Sequence, residues 1–113
     1  MSIAITINCP SPEVAETIAA GLMDQRLVAC ANIYPAIQSR YFWKGKIETA
    51  TEIPLLVKTR KALFPEVAEA VRALHPYETP SIVATDIVRA NTDYIAWIDA
   101  ETIAPGGRAA RGA

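Results

Sequence analysis

The chain has 113 residues and a formal charge of −1, from 11 basic and 12 acidic side chains, and 51% of it is hydrophobic. That length suits one domain with a real core, though a thin one for a monomer, because small domains bury a smaller share of their surface. The near-neutral balance argues against a field strong enough to hold nucleic acid or an anionic membrane.

The start, Met1-Ser2-Ile3-Ala4-Ile5-Thr6-Ile7, has no basic n-region, no long apolar h-region and no small-residue cleavage site. No apolar run reaches the roughly 18 to 20 residues of a membrane span. A cytoplasmic protein is expected. The two cysteines, Cys9 and Cys30, form no Cys-x-x-Cys motif and no Cys/His array. A reducing compartment argues against a disulfide, and the spacing argues against a structural zinc site within one chain.

Residues 3–9 alternate β-branched with small or polar side chains and read as a strand that Pro10 and Pro12 break. Ser11 suits an N-cap and Pro12 a first helical position. Val14, Ile18 and Leu22, with Ala15 and Ala19, then mark an apolar stripe on a helix to about Arg26. Two long extended stretches follow, 28–43 and 46–59, joined at a Lys44-Gly45 turn. If Trp43 pairs with Lys46, then Tyr41 faces Glu48, Ile37 faces Glu52 and Cys30 faces Thr59. Pro35 and Pro54 predict bulges or edge positions, because proline cannot donate to a ladder. Phe64, Val67, Val71 and Leu74 mark a second helix, ended by His75-Pro76-Tyr77-Glu78-Thr79-Pro80. Residues 82–88 read as a fourth strand. Asn91-Thr92-Asp93 opens a short third helix carrying Tyr94, Ile95, Trp97 and Ile98. Residues 1–103 are taken as one domain. The tail Ala104–Ala113 lacks periodicity and is expected to be disordered.

This order predicts an α+β, ferredoxin-like βαββαβ fold with an extra C-terminal helix, an antiparallel sheet of strand order 4-1-3-2, and a long hairpin between strands two and three. In that topology the end of strand one lies beside the end of helix two, so Cys9 meets the His75–Glu78 turn. Cys30 and Lys58 fall at the opposite side. Thiol and imidazole together suit copper or Zn(II) better than magnesium or calcium, and Glu78 adds a carboxylate. The position of Cys9 just before a helix N-terminus favours thiolate. Each residue also has a plainer reading: Cys9 as a small core hydrophobe, His75 as a cap or packing residue.

The basic residues Arg40, Lys44 and Lys46, then Lys58, Arg60 and Lys61, read as exposed strand ends or as a patch for an anion. Tyr34, Tyr41, Phe42 and Trp43 read as core, as an oligomer interface or as a base-stacking platform. RNA-binding domains share the topology, but Arg40–Lys46 crosses a hairpin tip and lacks their aromatic strand motif, so no nucleic-acid partner is expected. No Ser-His-Asp arrangement, glycine-rich phosphate loop or paired-carboxylate motif stands out, and no enzymatic activity is expected.

Five segments carry a resemblance: Ala29-Cys30-Ala31-Asn32-Ile33, Tyr41-Phe42-Trp43-Lys44-Gly45-Lys46-Ile47, Glu52-Ile53-Pro54-Leu55-Leu56-Val57-Lys58-Thr59, His75-Pro76-Tyr77-Glu78-Thr79-Pro80 and Tyr94-Ile95-Ala96-Trp97-Ile98. In order and spacing they resemble the CutA divalent-cation tolerance family over residues 3–102. The resemblance implies a ferredoxin-like subunit in a PII-like homotrimer, with long hairpins packed across subunit boundaries. It implies a link to divalent-cation tolerance, with Cu(II) first and Zn(II) or another divalent cation behind it. The family's copper-ligand positions fall on Cys9 and His75; Leu74 stands where some members carry a second histidine. Likeness to PII-type signalling trimers suggests a second possibility, a small anionic ligand or a protein partner in inter-subunit clefts lined by Lys58, Tyr77 and Glu78.

Overall fold

The structure, a computed structural model, describes residues 1–106. The expected disordered tail therefore lies, over 107–113, outside the described residues.

Strand β1 (Ser2–Cys9) turns its sequence alternation into burial: Ile3, Ile5, Ile7 and Cys9 face the core, while Ala4, Thr6 and Asn8 are half-buried. Helix α1 (Pro12–Asp24) starts as its cap residues dictate. The Ser11 hydroxyl accepts the Val14 N–H at 3.2 Å, satisfying a donor that the first turn leaves orphaned. Ala15, Ile18, Ala19 and Leu22 are its buried residues. The helix stops short of Arg26, which takes a left-handed φ of 53°.

The second and third strands of the expected fold become three. They are β2 (Cys30–Ile33), β3 (Ile37–Trp43) and β4 (Lys46–Arg60). A short 3-10 turn (Lys61–Leu63), helix α2 (Phe64–Leu74), β5 (Ile82–Asp86) and α3 (Thr92–Glu101) complete the order. The sheet runs β2-β4-β1-β5, with β3 paired to β4, and all pairs are antiparallel. This is the ferredoxin-like arrangement that the element order predicts.

Lys44 and Gly45 both have positive φ, 50° and 80°, so the hairpin turn is of the I′ kind, whose twist matches that of the strands. The register along the arm is the expected one: Trp43 opposite Lys46, Tyr41 opposite Glu48, Ile37 opposite Glu52. Past Pro35 it is not. Cys30 pairs with Lys58, where Thr59 is expected. The stretch Tyr34–Ala36 holds one residue more than the strand it faces, a bulge at the proline that cannot donate. A slip of one residue exchanges the faces of a strand. Cys30 thus leaves the core side and joins Lys58, while the buried Thr59 hydroxyl donates to the Leu27 carbonyl at 2.5 Å.

The core lies between one sheet face and helices α1 and α2. Leu63, not Leu74, completes the α2 stripe: Leu63 is fully buried, and Leu74 is exposed. Helix α3 lies against the sheet near Lys58–Arg60 and Cys30. There the Arg60 guanidinium donates to Thr102 Oγ1 at 2.9 Å and to the Asp99 carbonyl. Among the described residues no helix is long and apolar enough to cross a membrane.

Replacing the α1 cap, Ser11→Ala, should lower stability by about 1 kcal/mol. It should shift the urea midpoint without changing the slope, and Ser11→Asn should restore most of the loss. An unmoved midpoint would mean that the cap bond is not what starts this helix.

Candidate functional site

The topology brings the end of α2 to the end of β1, as the element order predicts. His75 closes α2, its N–H bonded to the Val71 carbonyl at 2.8 Å. Its ring is buried and sits 2.8 Å, through Nε2, from the Asn8 carbonyl. The Tyr77 backbone N–H donates to Nδ1 at 3.1 Å. A nitrogen that accepts from an amide carries no proton, so Nδ1 is bare and Nε2–H donates to Asn8. Both ring nitrogens are engaged.

Cys9 departs from expectation. Its side chain is fully buried, with the Ile7 carbonyl 3.8 Å from Sγ. Burial, then the nearby Glu52 charge, pushes its pKa from 9.0 up to about 11. Desolvation outweighs the helix dipole, and the thiol is protonated at neutral pH. Glu78 is exposed on the turn. The fold thus gathers Cys9, His75 and Glu78 into one region without aiming them at a common point. Among the described residues no group of three or more His, Cys, Asp or Glu is placed to hold a metal ion. The donors of one chain do not fit a metal as they stand.

Glu52 is the residue that sequence reading passes over. It is only 6% exposed, although it lies at the base of the hairpin arm. The Tyr77 hydroxyl donates to Glu52 Oε2 at 3.0 Å. Burial first, then this bond, raises the Tyr77 pKa to about 12. The Tyr77 ring also stacks at a tilt on His75, with centroids 4.7 Å apart. Asn8, His75, Tyr77 and Glu52 therefore form one strut tying β1, the turn and β4 together. Above it opens a cleft of about 780 Å³, lined among others by Arg40, Tyr41, Trp43, Glu52, Tyr77 and Glu78. The signal for Glu52 was available in the register: it faces Ile37 and directly precedes Ile53, the partner of Cys9.

Lys58 is not part of this cleft. It lies about 20 Å farther along β4 at the rise of an extended strand. There its Nζ sits 5.7 Å from the Tyr94 ring centroid, and Tyr94 stacks on Trp97. Cys30 Sγ lies 3.7 Å from the Tyr94 hydroxyl, and this contact raises the Tyr94 pKa first, burial second. A cleft holding both Lys58 and Tyr77 would need them from different copies of the chain.

Residues 3–101 match the family model described as CutA1 divalent ion tolerance protein. A Thermus thermophilus protein named divalent-cation tolerance protein CutA is 45% identical over 102 residues, 90% of this chain and 99% of that protein. A mouse protein named CutA is 40% identical, and the match covers 84% of this chain but 54% of the mouse protein's length. The solved structure of an Archaeoglobus fulgidus protein, described as the periplasmic divalent cation tolerance protein CutA, superposes with a TM-score of 0.87 at 46% identity. That likeness covers 89% of this chain and 98% of the other.

Three outcomes follow from the geometry. Cys9 should resist alkylation at pH 8 in the native protein and react only after unfolding, as read by mass spectrometry. Its folded pKa lies above the unfolded one, so the native state holds this proton longer. Stability should therefore be unaffected by Cys9 below pH 9 and decline as pH rises from there toward about 11; Cys9→Ala should remove the onset of this decline and leave the later part that the raised Tyr77 and Tyr94 phenols contribute. Tyr77→Phe leaves a buried carboxylate without its donor and should cost about 1–3 kcal/mol in denaturant unfolding. No loss would mean that Glu52 turns out to water instead.

Proposed function

The chain belongs to the CutA1 divalent ion tolerance family, and from that premise we propose that it works as a non-enzymatic homotrimer that binds or responds to divalent metal, copper first and Zn(II) next. One observation carries the assembly: the hairpin arm is uncovered. From Ile37 to Glu52, β3 and β4 pair with each other alone. Phe42 and Ile47 are 78% and 66% exposed there, with Ile37 and Tyr41 also open. On the sheet's other edge Val83 is exposed as well. Free strand edges with exposed apolar side chains invite aggregation unless something covers them. Three copies laying their arms across one another cover these edges and enlarge a core that is thin in one chain.

Cys9, His75 and Glu78 remain the candidate metal donors in this reading, because thiol, imidazole and carboxylate suit copper and zinc. One chain does not aim them together, Cys9 is buried and both His75 nitrogens are bonded, so in this reading the metal is a ligand of the assembled scaffold that draws donors from a second copy and displaces a hydrogen bond of His75. The unpaired thiols of Cys9 and Cys30 suit the reducing cytoplasm. A second reading is favoured by the cleft beside Tyr77 and Glu78: a signalling or scaffold trimer that takes a small ligand or protein partner, with metal incidental.

Sedimentation equilibrium on the metal-free protein, repeated with equimolar Cu(II) or Zn(II), tests the proposal. The expected result is a trimer under both conditions. A monomer under both sinks the assembly, and assembly only with metal makes the metal structural. Calorimetric titration of Cu(II) into wild type and His75→Ala then tests the site: identical isotherms remove His75 from it.

A further inference from the structure

We propose that the cleft between the hairpin arm and the 76–81 turn binds a small organic cation, an ammonium-bearing molecule, with Glu52 as its counter-charge. The inference rests on the ligand-cleft reading, not on the metal reading, and it gives the ligand the sign opposite to the anion suggested by resemblance.

The first observation is Glu52 itself. It is a carboxylate nine-tenths buried, its hydrogen bond comes from an uncharged phenol, and among the described residues it joins no salt bridge. A buried charge is costly unless a counter-charge meets it. The second is the wall. Trp43 and Tyr77 line the same cleft, and the faces of such rings attract cations. Trp43 already does so: Lys44 Nζ lies 5.6 Å from its ring centroid. The third is the charge of the lining. Glu52 and Glu78 outnumber Arg40, and Lys58, the lysine expected to meet an anion, is elsewhere. A bare divalent ion is a poorer fit than an ammonium group, because no three donors converge. A tetrahedral ammonium asks only for ring faces and one carboxylate. The volume falls in the range of small-molecule sites, about 300–1,000 Å³.

The test uses the full chain and three probes: choline, its neutral carbon isostere dimethylbutanol, and citrate as an anion. Binding is read by calorimetry and by tryptophan fluorescence, on wild type and on Glu52→Gln, which keeps an acceptor for Tyr77. The expected result is that choline binds, the isostere does not, and Glu52→Gln weakens choline by about tenfold or more. Equal binding of choline and its isostere would reduce the cleft to an apolar groove and overturn the proposal. Citrate binding in place of choline would overturn the assigned charge while leaving the ligand-cleft reading intact. If no probe binds and Glu52→Gln changes the sedimentation of the protein, a second copy supplies the cation, and the proposal falls. If no probe binds and sedimentation is unchanged, the proposal and the ligand-cleft reading fall together.

Discussion

Strand β4 has to satisfy different partners along its length, and much of the structure follows from that. Between Ile53 and Arg60 it is a central strand, hydrogen-bonded to β1 on one side and, from Leu55 to Lys58, to β2 on the other. Between Lys46 and Glu52 it has β3 alone. Its inner half alternates as a half-buried strand should, with Ile53, Leu55, Val57 and Thr59 inward. Its outer half is exposed except near its base. A strand built this way is a core element at one end and an arm at the other. The point where the two regimes meet is Glu52.

The overall fold was legible because its signals are local. The Ser11 cap, the apolar stripe of α1, the glycine turn and the proline after His75 each act within a few residues, and right-handed connections leave few ways to assemble the parts. The register inside the hairpin was legible for the same reason, since the turn sets it. What escaped was the register beyond Pro35. Proline announces an interruption without saying whether the chain gains or loses a residue there. The outcome decides which face Cys30 occupies, and only the packing of Tyr94 and Lys58 against it settles that.

The site was legible by half, and the division has a physical cause. Topology placed His75 beside the end of β1, because helix ends and strand ends are points that a connection diagram can locate. It could not foresee that both imidazole nitrogens would be taken, or that burial would keep Cys9 protonated. Those are matters of distances below 4 Å. Glu52 was hidden by a reasonable habit: a glutamate that follows Thr49-Ala50-Thr51 in an extended arm reads as solvated. It is buried because the Tyr77 turn folds over the base of that arm.

Tyr77 is what makes this corner one object. Its backbone N–H sets the tautomer of His75, its ring rests on the imidazole, and its hydroxyl holds the carboxylate of Glu52. A phenol is a weak match for a buried charge, since a neutral donor offsets only part of the desolvation cost. The strut therefore fixes the position of Glu52 without neutralising it. A carboxylate held in place, dry on most sides and short of positive charge, is a poor way to strengthen a fold. It is a good way to prepare a site, because the cost of ordering the group has been met before any ligand arrives. The unmatched charge at the base of the arm is the reason to look there for a small cation that comes from solution.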